Sequence, residues 1–242
     1  LFLQITENSY KFAYLSNNIF NFIALISIYE LGKILKDKET GLFASIIFTL
    51  NPFIFLQRTD YLIDLSLTAF TTLTFLAQTK WFISKKKFSI YSILFGIFLG
   101  FIFLTKPTGI SLFLFSTVII CIKKFKNPLK YYFLSEIFLS FIIYILIISP
   151  WFFKHWLTII TSTINAWQWG IKYQDGLDLN TLKGWFYYFY TFPSFIGKLN
   201  FIILIIIYLY QKLIKKTQVF IIEKKNINLW FLIFVLNNFI IT

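Results

Sequence analysis

The sequence predicts an all-α, multi-pass transmembrane helix bundle of about eight spans, with an amphipathic helix lying in the outer interface. Three observations predict it. The chain is 58% hydrophobic and 22% aromatic but only 14% charged, against roughly 25% charged residues in soluble domains. Its apolar residues fall in long runs with no period-2 alternation, which excludes a membrane barrel. Its lysines cluster between alternate runs, the pattern that sets membrane orientation. In that setting the net charge of +13 reports topology, and no nucleic-acid partner is expected.

Eight apolar runs follow in order: Ile19–Leu35, Leu42–Leu56, Tyr61–Thr79, Phe88–Leu104, Thr108–Ile122, Tyr131–Ser149, Phe195–Gln211 and Ile227–Thr242. Several are shorter than the roughly 20 residues a helical span needs, so their ends extend into the flanking residues. Residues 1–18 are read as the tail of an outer loop and 19–149 as a six-helix membrane part. Residues 150–194 form an outer helix and loop, and 195–242 hold two further spans. The first residue is Leu, the chain has no Met, and it stops inside an apolar run. The expectation is an internal piece of a longer protein.

The connections divide the basic residues. One set holds Lys33, Lys36 and Lys38; Lys80 and Lys85 to Lys87; Lys123, Lys124, Lys126 and Lys130; and Lys212, Lys215, Lys216, Lys224 and Lys225. The other holds Lys11, Arg58, Lys106, Lys154, Lys172, Lys183 and Lys198, spread over longer segments. The denser set is assigned to the cytoplasm, which places Arg58, Lys106 and residues 150–194 outside. Among the acids, Glu30 lies one turn from Lys33 and is read as snorkelling or pairing with it. Glu136 is read as snorkelling or bonded within the bundle.

Polar residues at membrane depth mark candidate sites. Gln57 to Asp64 interrupts apolar sequence with Arg58, Asp60 and Asp64. Asp60 and Asp64 share a helical face, and Asp60 stands where its carboxylate would cap the next helix. Lys106 precedes Pro107, which breaks the helix there and offers a compact cation to a phosphate.

Pro150 is expected to stop the sixth span. Beyond it Phe153, Leu157, Ile160, Ile164, Trp167 and Ile171 make an apolar stripe opposed by Lys154, Thr158, Thr161, Asn165 and Gln168. Five of the seven Trp lie between Trp151 and Trp185, composition suited to the headgroup region. Lys154 at its start is a candidate phosphate contact, and His155 a candidate phosphate contact or proton carrier. A charged mouth, a lysine at a helix break and a surface helix point to a site open to lipid and suited to an anionic amphiphile. These residues alone leave sugar transfer and lipid export both open. With one Cys and one His, no metal site is expected, and no cofactor.

Ile28-Tyr29-Glu30-Leu31-Gly32-Lys33 followed by Gly41, Ala44, Asn51-Pro52, Arg58 and Asp64 resembles the membrane glycosyltransferases of the GT-C fold. The nearest group is the glycosyltransferase 39 type, which includes protein mannosyltransferases and the aminoarabinose transferases of lipid A. Gly96 to Gly100 with Phe103-Leu104-Thr105-Lys106-Pro107, and Pro150-Trp151, are similar to later segments of the same family. The resemblance runs from Ser16 to Tyr190. It implies transfer of a sugar from a polyprenyl-phosphate-linked donor to a lipid, glycan or protein acceptor on the outer face of the cell membrane. It implies that Arg58 and Lys106 neutralise the lipid phosphate and that Asp64, with Asp60, holds Arg58 or a sugar hydroxyl. The family's main catalytic Asp precedes the span matching Ile19–Leu35. Glu7 does not match it, so that residue is expected upstream of this chain and the catalytic base within it stays unknown. Two readings compete with it: a transporter or flippase of an anionic amphiphile, which would place polar residues at mid-membrane in several spans or show repeated halves, and a non-catalytic membrane assembly subunit, which gives Arg58 and Lys106 no role.

Overall fold

A computed structural model describes residues 14–59, 63–84, 88–125 and 130–172, together with 200, 202 and 206. Every regular element among them is helical. In chain order these are α1 (Tyr14–Leu35), α2 (Lys38–Thr49), α3 (Pro52–Thr59), α4 (Asp64–Ile83), α5 (Ile90–Thr105), a short 3₁₀ turn (Pro107–Ile110), α6 (Ser111–Phe125) and α7 (Lys130–Lys172). Two segments among the described residues are long and apolar enough to cross a membrane, Leu15–Leu35 within α1 and Phe133–Ser162 within α7. Ile90–Thr105 and Pro107–Val118 are shorter apolar helices.

Six of the predicted runs meet these helices. The run Leu42–Leu56 is broken where Asn51 and Pro52 separate α2 from α3, because Asn51 before a proline is pushed out of the helical region. Phe195–Gln211 is represented by helical Asn200, Ile202 and Ile206. Ile227–Thr242 lies outside the described residues.

Close backbone approach shapes the first hairpin. Asp37 caps α2, its carboxylate accepting the Thr40 N–H at 2.8 Å and the Thr40 hydroxyl at 2.7 Å. The chain then doubles back so tightly that a Cβ on Gly32 would sit 2.5 Å from the Gly41 Cα. Only hydrogens fit between α1 and α2 here, and the Ser45 hydroxyl reaches back to the Leu25 carbonyl at 3.3 Å.

The helix α1 packs on α4, α4 on α5, and α5 on α7. The α5–α7 pair is parallel and uses small residues as its seam. A Cβ on Gly96 would fall 2.4 Å from the Ser140 carbonyl oxygen, and one on Gly100 would lie 2.8 Å from the Ile147 side chain. The Ser140 hydroxyl donates to the Ser92 carbonyl at 2.6 Å. Small residues replace the hydrophobic effect as the organiser of helix contacts in lipid, since apolar side chains gain little from leaving it. Around that seam Trp81, Phe95, Ile102, Phe113, Ile120 and Phe133 are buried together.

The two ends of the bundle differ in chemistry. At one, Glu30 pairs with Lys33 at 3.1 Å and lies 3.9 Å from Lys80, which joins the C-terminal ends of α1 and α4. Glu136 is buried at the same end. Its carboxylate accepts the Trp81 indole N–H at 2.9 Å and the backbone N–H of Ser89, the N-cap residue of α5. It performs from a neighbouring helix the task a capping box gives to a Glu in the helix's own first turn. Of the two roles open to each acid, snorkelling or bonding, both take the bonded one.

The expectation at Pro150 is overturned. One helix runs from Lys130 to Lys172 with Pro150 inside it, so the boundary placed between residues 149 and 150 falls within a continuous element. The proline removes the N–H that the Leu146 carbonyl would accept. The Ser149 hydroxyl donates to that carbonyl instead, at 3.3 Å. A hydroxyl beside the proline thus satisfies the freed acceptor, a repair that lipid makes necessary.

Candidate functional site

The end of the bundle opposite Glu30 and Glu136 collects the candidate residues. The break at Lys106 follows from Pro107. A residue before proline is driven from the helical region, and Lys106 has φ −153° and ψ 106°. Its N–H still closes the last turn of α5 on Ile102 at 2.8 Å, and its carbonyl accepts the Gly109 N–H at 2.9 Å. The residue is therefore anchored by its backbone on both sides. Its side chain is exposed and forms no ion pair among the described residues.

Asp64 opens α4 and is half-buried. The N-cap position is Ile63, which supplies no side-chain bond, so the acid in the first turn is Asp64 itself. The cap assigned to Asp60 falls on a residue outside those described. No described residue pairs with the Asp64 carboxylate. Its carbonyl accepts the Thr68 hydroxyl at 2.8 Å, which fixes the turn without using the carboxylate.

Packing one turn further on brings α4 to the Lys106 break. A Cβ on Gly109 would lie 3.2 Å from Leu67 and 2.6 Å from Ile102. Leu67 is three residues beyond Asp64, and Gly109 three beyond Lys106, so the start of α4 and the break after α5 share one end of the bundle. Arg58 stands near the end of α3, which packs against α1, α2 and α4; its side chain lies outside the described residues.

The helix α7 arrives at this end beside α5. The Phe103 ring meets Tyr144 edge-on at 6.2 Å and Phe152 at 6.3 Å. Phe103 is three residues before Lys106, and Lys154 and His155 follow Phe152 within one turn. Both are exposed. The His155 ring lies 5.2 Å from Trp151 at 33°, which restrains the imidazole on the surface of α7. Of the predicted residues, Asp64, Lys106, Lys154 and His155 are thereby brought to one end.

Some residues that build this arrangement were not singled out from the sequence. Ser149 was one, although a hydroxyl directly before a proline in an apolar run is a readable sign of a continued helix. Gln78 was another. It is fully buried; its amide donates to Thr117 at 3.0 Å and accepts from Ser116 at 3.1 Å, tying α4 to α6. No group of three or more His, Cys, Asp and Glu residues able to hold a metal occurs among the described residues.

Residues 1–168 match the model of the dolichyl-phosphate-mannose-protein mannosyltransferase family. The chain belongs to this family. The match spans α1 to α6 and nearly all of α7, so it includes each candidate residue above. Members of the family are membrane glycosyltransferases of the GT-C type that draw on a polyprenyl-phosphate-linked sugar. The resemblance drawn from the sequence is thereby confirmed as a family membership. No curated protein and no solved structure matches the chain.

Proposed function

We propose that the protein transfers a sugar from a polyprenyl-phosphate-linked donor to an acceptor on the extracytoplasmic face of the cell membrane. Family membership supports the reaction class and the kind of donor. The observation that carries the site is the Lys106 break. An exposed cation anchored by its backbone at a helix end stands at the same end as Asp64 and the Lys154–His155 turn.

In this reading the donor phosphate sits at Lys106 and Arg58. An acceptor hydroxyl attacks the anomeric carbon, the bond from that carbon to the phosphate oxygen breaks, and the phosphate leaves with an added negative charge. Lys106 and Arg58 stabilise that charge where it develops, so they favour the transition state over the bound donor. Asp64, with Asp60, holds Arg58 or a sugar hydroxyl. Lys154 and His155 add donors from α7. A general base takes the acceptor's proton as the new bond to the anomeric carbon forms. The greater lysine density at the opposite end of the bundle supports an outward-facing site.

The test is sugar transfer from a polyprenyl-phosphate donor by the protein in membranes. Lys106→Ala and Arg58→Ala should each lower turnover by about 10²–10³-fold, the loss seen when one group stabilising a developing anion is removed. Unchanged turnover in both variants refutes the site. Export of an intact labelled amphiphile without sugar transfer would support a flippase instead.

A further inference from the structure

The break between α2 and α3 leaves a backbone acceptor to be satisfied. In an unbroken helix the Ile47 carbonyl would accept the N–H of Asn51, four residues on. Here Pro52 has no N–H to give the Phe48 carbonyl, and the Asn51 N–H turns to Phe48 instead, at 3.2 Å. The Leu50 N–H is taken by Ile46 at 2.9 Å, and the Asn51 carbonyl opens α3 by accepting the Phe55 N–H at 3.0 Å. None of these bonds serves Ile47, and a carbonyl left open at membrane depth is costly.

The donor comes from far along the chain. The Asn200 side-chain amide donates to the Ile47 carbonyl at 3.5 Å, across 153 residues. Asn200 is 2% exposed, whereas Ile202 and Ile206 are 53% and 59% exposed, and a helix turns those two about 200° and 240° away from it. The polar side chain therefore faces α2 and the apolar ones face outward. Asn200 also stands beyond residues 1–168, the part that matches the family model.

This bond bears on the direction in which α3 leaves. With the Ile47 carbonyl taken, the Asn51 N–H stays with Phe48 and the break is held. Without that bond the Asn51 N–H is drawn back towards Ile47, which changes the angle between α2 and α3. Arg58 stands seven residues after Asn51, about 10 Å at 1.5 Å per residue, so a swing of about 10° at the break moves it by about 2 Å. A misplacement of about 1 Å is enough to cost about a hundredfold in rate.

We propose that Asn200 is a positioning residue for the donor site: its amide holds the α2–α3 break and so sets where Arg58 meets the donor phosphate. The proposal rests on the reading of Arg58 as a phosphate contact. It extends the site to a helix beyond the matched residues, one that touches neither the donor nor Arg58 in this role.

The experiment uses the protein in phosphatidylcholine nanodiscs and phenylglyoxal, which modifies arginine. Arg58 is the single arginine of the sequence, so modification of its peptide reads its surroundings. Polyprenyl phosphate at about ten times its Kd should slow modification of wild-type Arg58 about tenfold, and should slow it less than half as much in Asn200→Leu. Asn200→Leu should lower sugar transfer about tenfold in the wild type and again in Lys106→Ala, and should add no loss to Arg58→Ala. No protection of wild-type Arg58 removes the phosphate from Arg58, and the proposal with it. Protection of the wild type that is equal in Asn200→Leu overturns Asn200 as a positioning residue and leaves the phosphate reading standing. The same fractional loss of transfer in Arg58→Ala and Lys106→Ala does so too, and is what a variant that only folds poorly would give.

Discussion

The Trp81 indole N–H donates to the Glu136 carboxylate at 2.9 Å, across a separation of 55 residues. Both are buried, at 1% and 2% exposure, and the same carboxylate takes the Ser89 N–H. One acid thus joins the end of α4, the start of α5 and the start of α7. Replacing it by Leu strands two buried donors, and the expected loss is about 2–4 kcal/mol. Glu136→Gln keeps an acceptor oxygen and should lose less than half as much. Thermal unfolding in detergent gives the ranking, and equal losses in the two variants would contradict the clasp.

The seam between α5 and α7 should be most sensitive at Gly96. A Cβ there meets a backbone carbonyl at 2.4 Å, whereas at Gly100 it meets the Ile147 side chain at 2.8 Å. A side chain gives way more readily than a backbone. Gly96→Ala is expected to destabilise by about 1–3 kcal/mol and Gly100→Ala by less. The same melting measurements test the order, and a larger loss at Gly100 would sink it.

Pro150 and Ser149 should be coupled. With the proline present, the Ser149 hydroxyl serves the Leu146 carbonyl. In a Pro150→Ala background the restored N–H does so. Ser149→Ala should therefore destabilise the wild type by about 0.5–1.5 kcal/mol and be close to neutral beside Pro150→Ala. A double-mutant cycle with no coupling would show that the hydroxyl does not repair the helix.

Gln78→Leu is expected to be mild in spite of complete burial. Ser116 and Thr117 also donate to the Phe113 carbonyl, at 3.1 and 2.7 Å, so neither hydroxyl is stranded. The loss should be about 0.6 kcal/mol, the size of an average hydrogen bond between membrane helices. A loss above about 2 kcal/mol would mean that the amide organises more than these two hydroxyls.

Substituting Lys106 by Arg separates charge from shape. A guanidinium keeps the charge but is broader and planar. Turnover should fall about tenfold, well short of the loss in Lys106→Ala. Steady-state kinetics with a polyprenyl-phosphate donor reads the difference, and equal rates in Lys106→Ala and wild type would remove Lys106 from the site.

Much of this was legible in the sequence because it depends on local composition. Apolar runs bounded by Lys clusters marked the helices, and Pro107 marked the break at Lys106. The pairing of Glu30 with Lys33 followed from spacing on one helix. What stayed hidden depends on distant partners. Nothing within α7 says that Glu136 meets Trp81, and nothing near Gln78 announces Ser116. Pro150 misled because its helix-breaking effect was weighed without the hydroxyl next to it. The resemblance around Gly32, Gly41 and Gly96 gains a physical reason here, since each permits a backbone approach that a methyl group would prevent.

The uninterrupted helix from Lys130 to Lys172 has 43 residues and so spans about 65 Å at 1.5 Å per residue, about twice the hydrocarbon thickness of a bilayer. Near one end it holds Ser89 through Glu136, and further along it holds Phe103 through Phe152. The residues of those two attachments, Glu136 and Phe152, are 16 apart on this helix, so a single element holds the carboxylate clasp and the aromatic contact beside Lys106 about 24 Å apart.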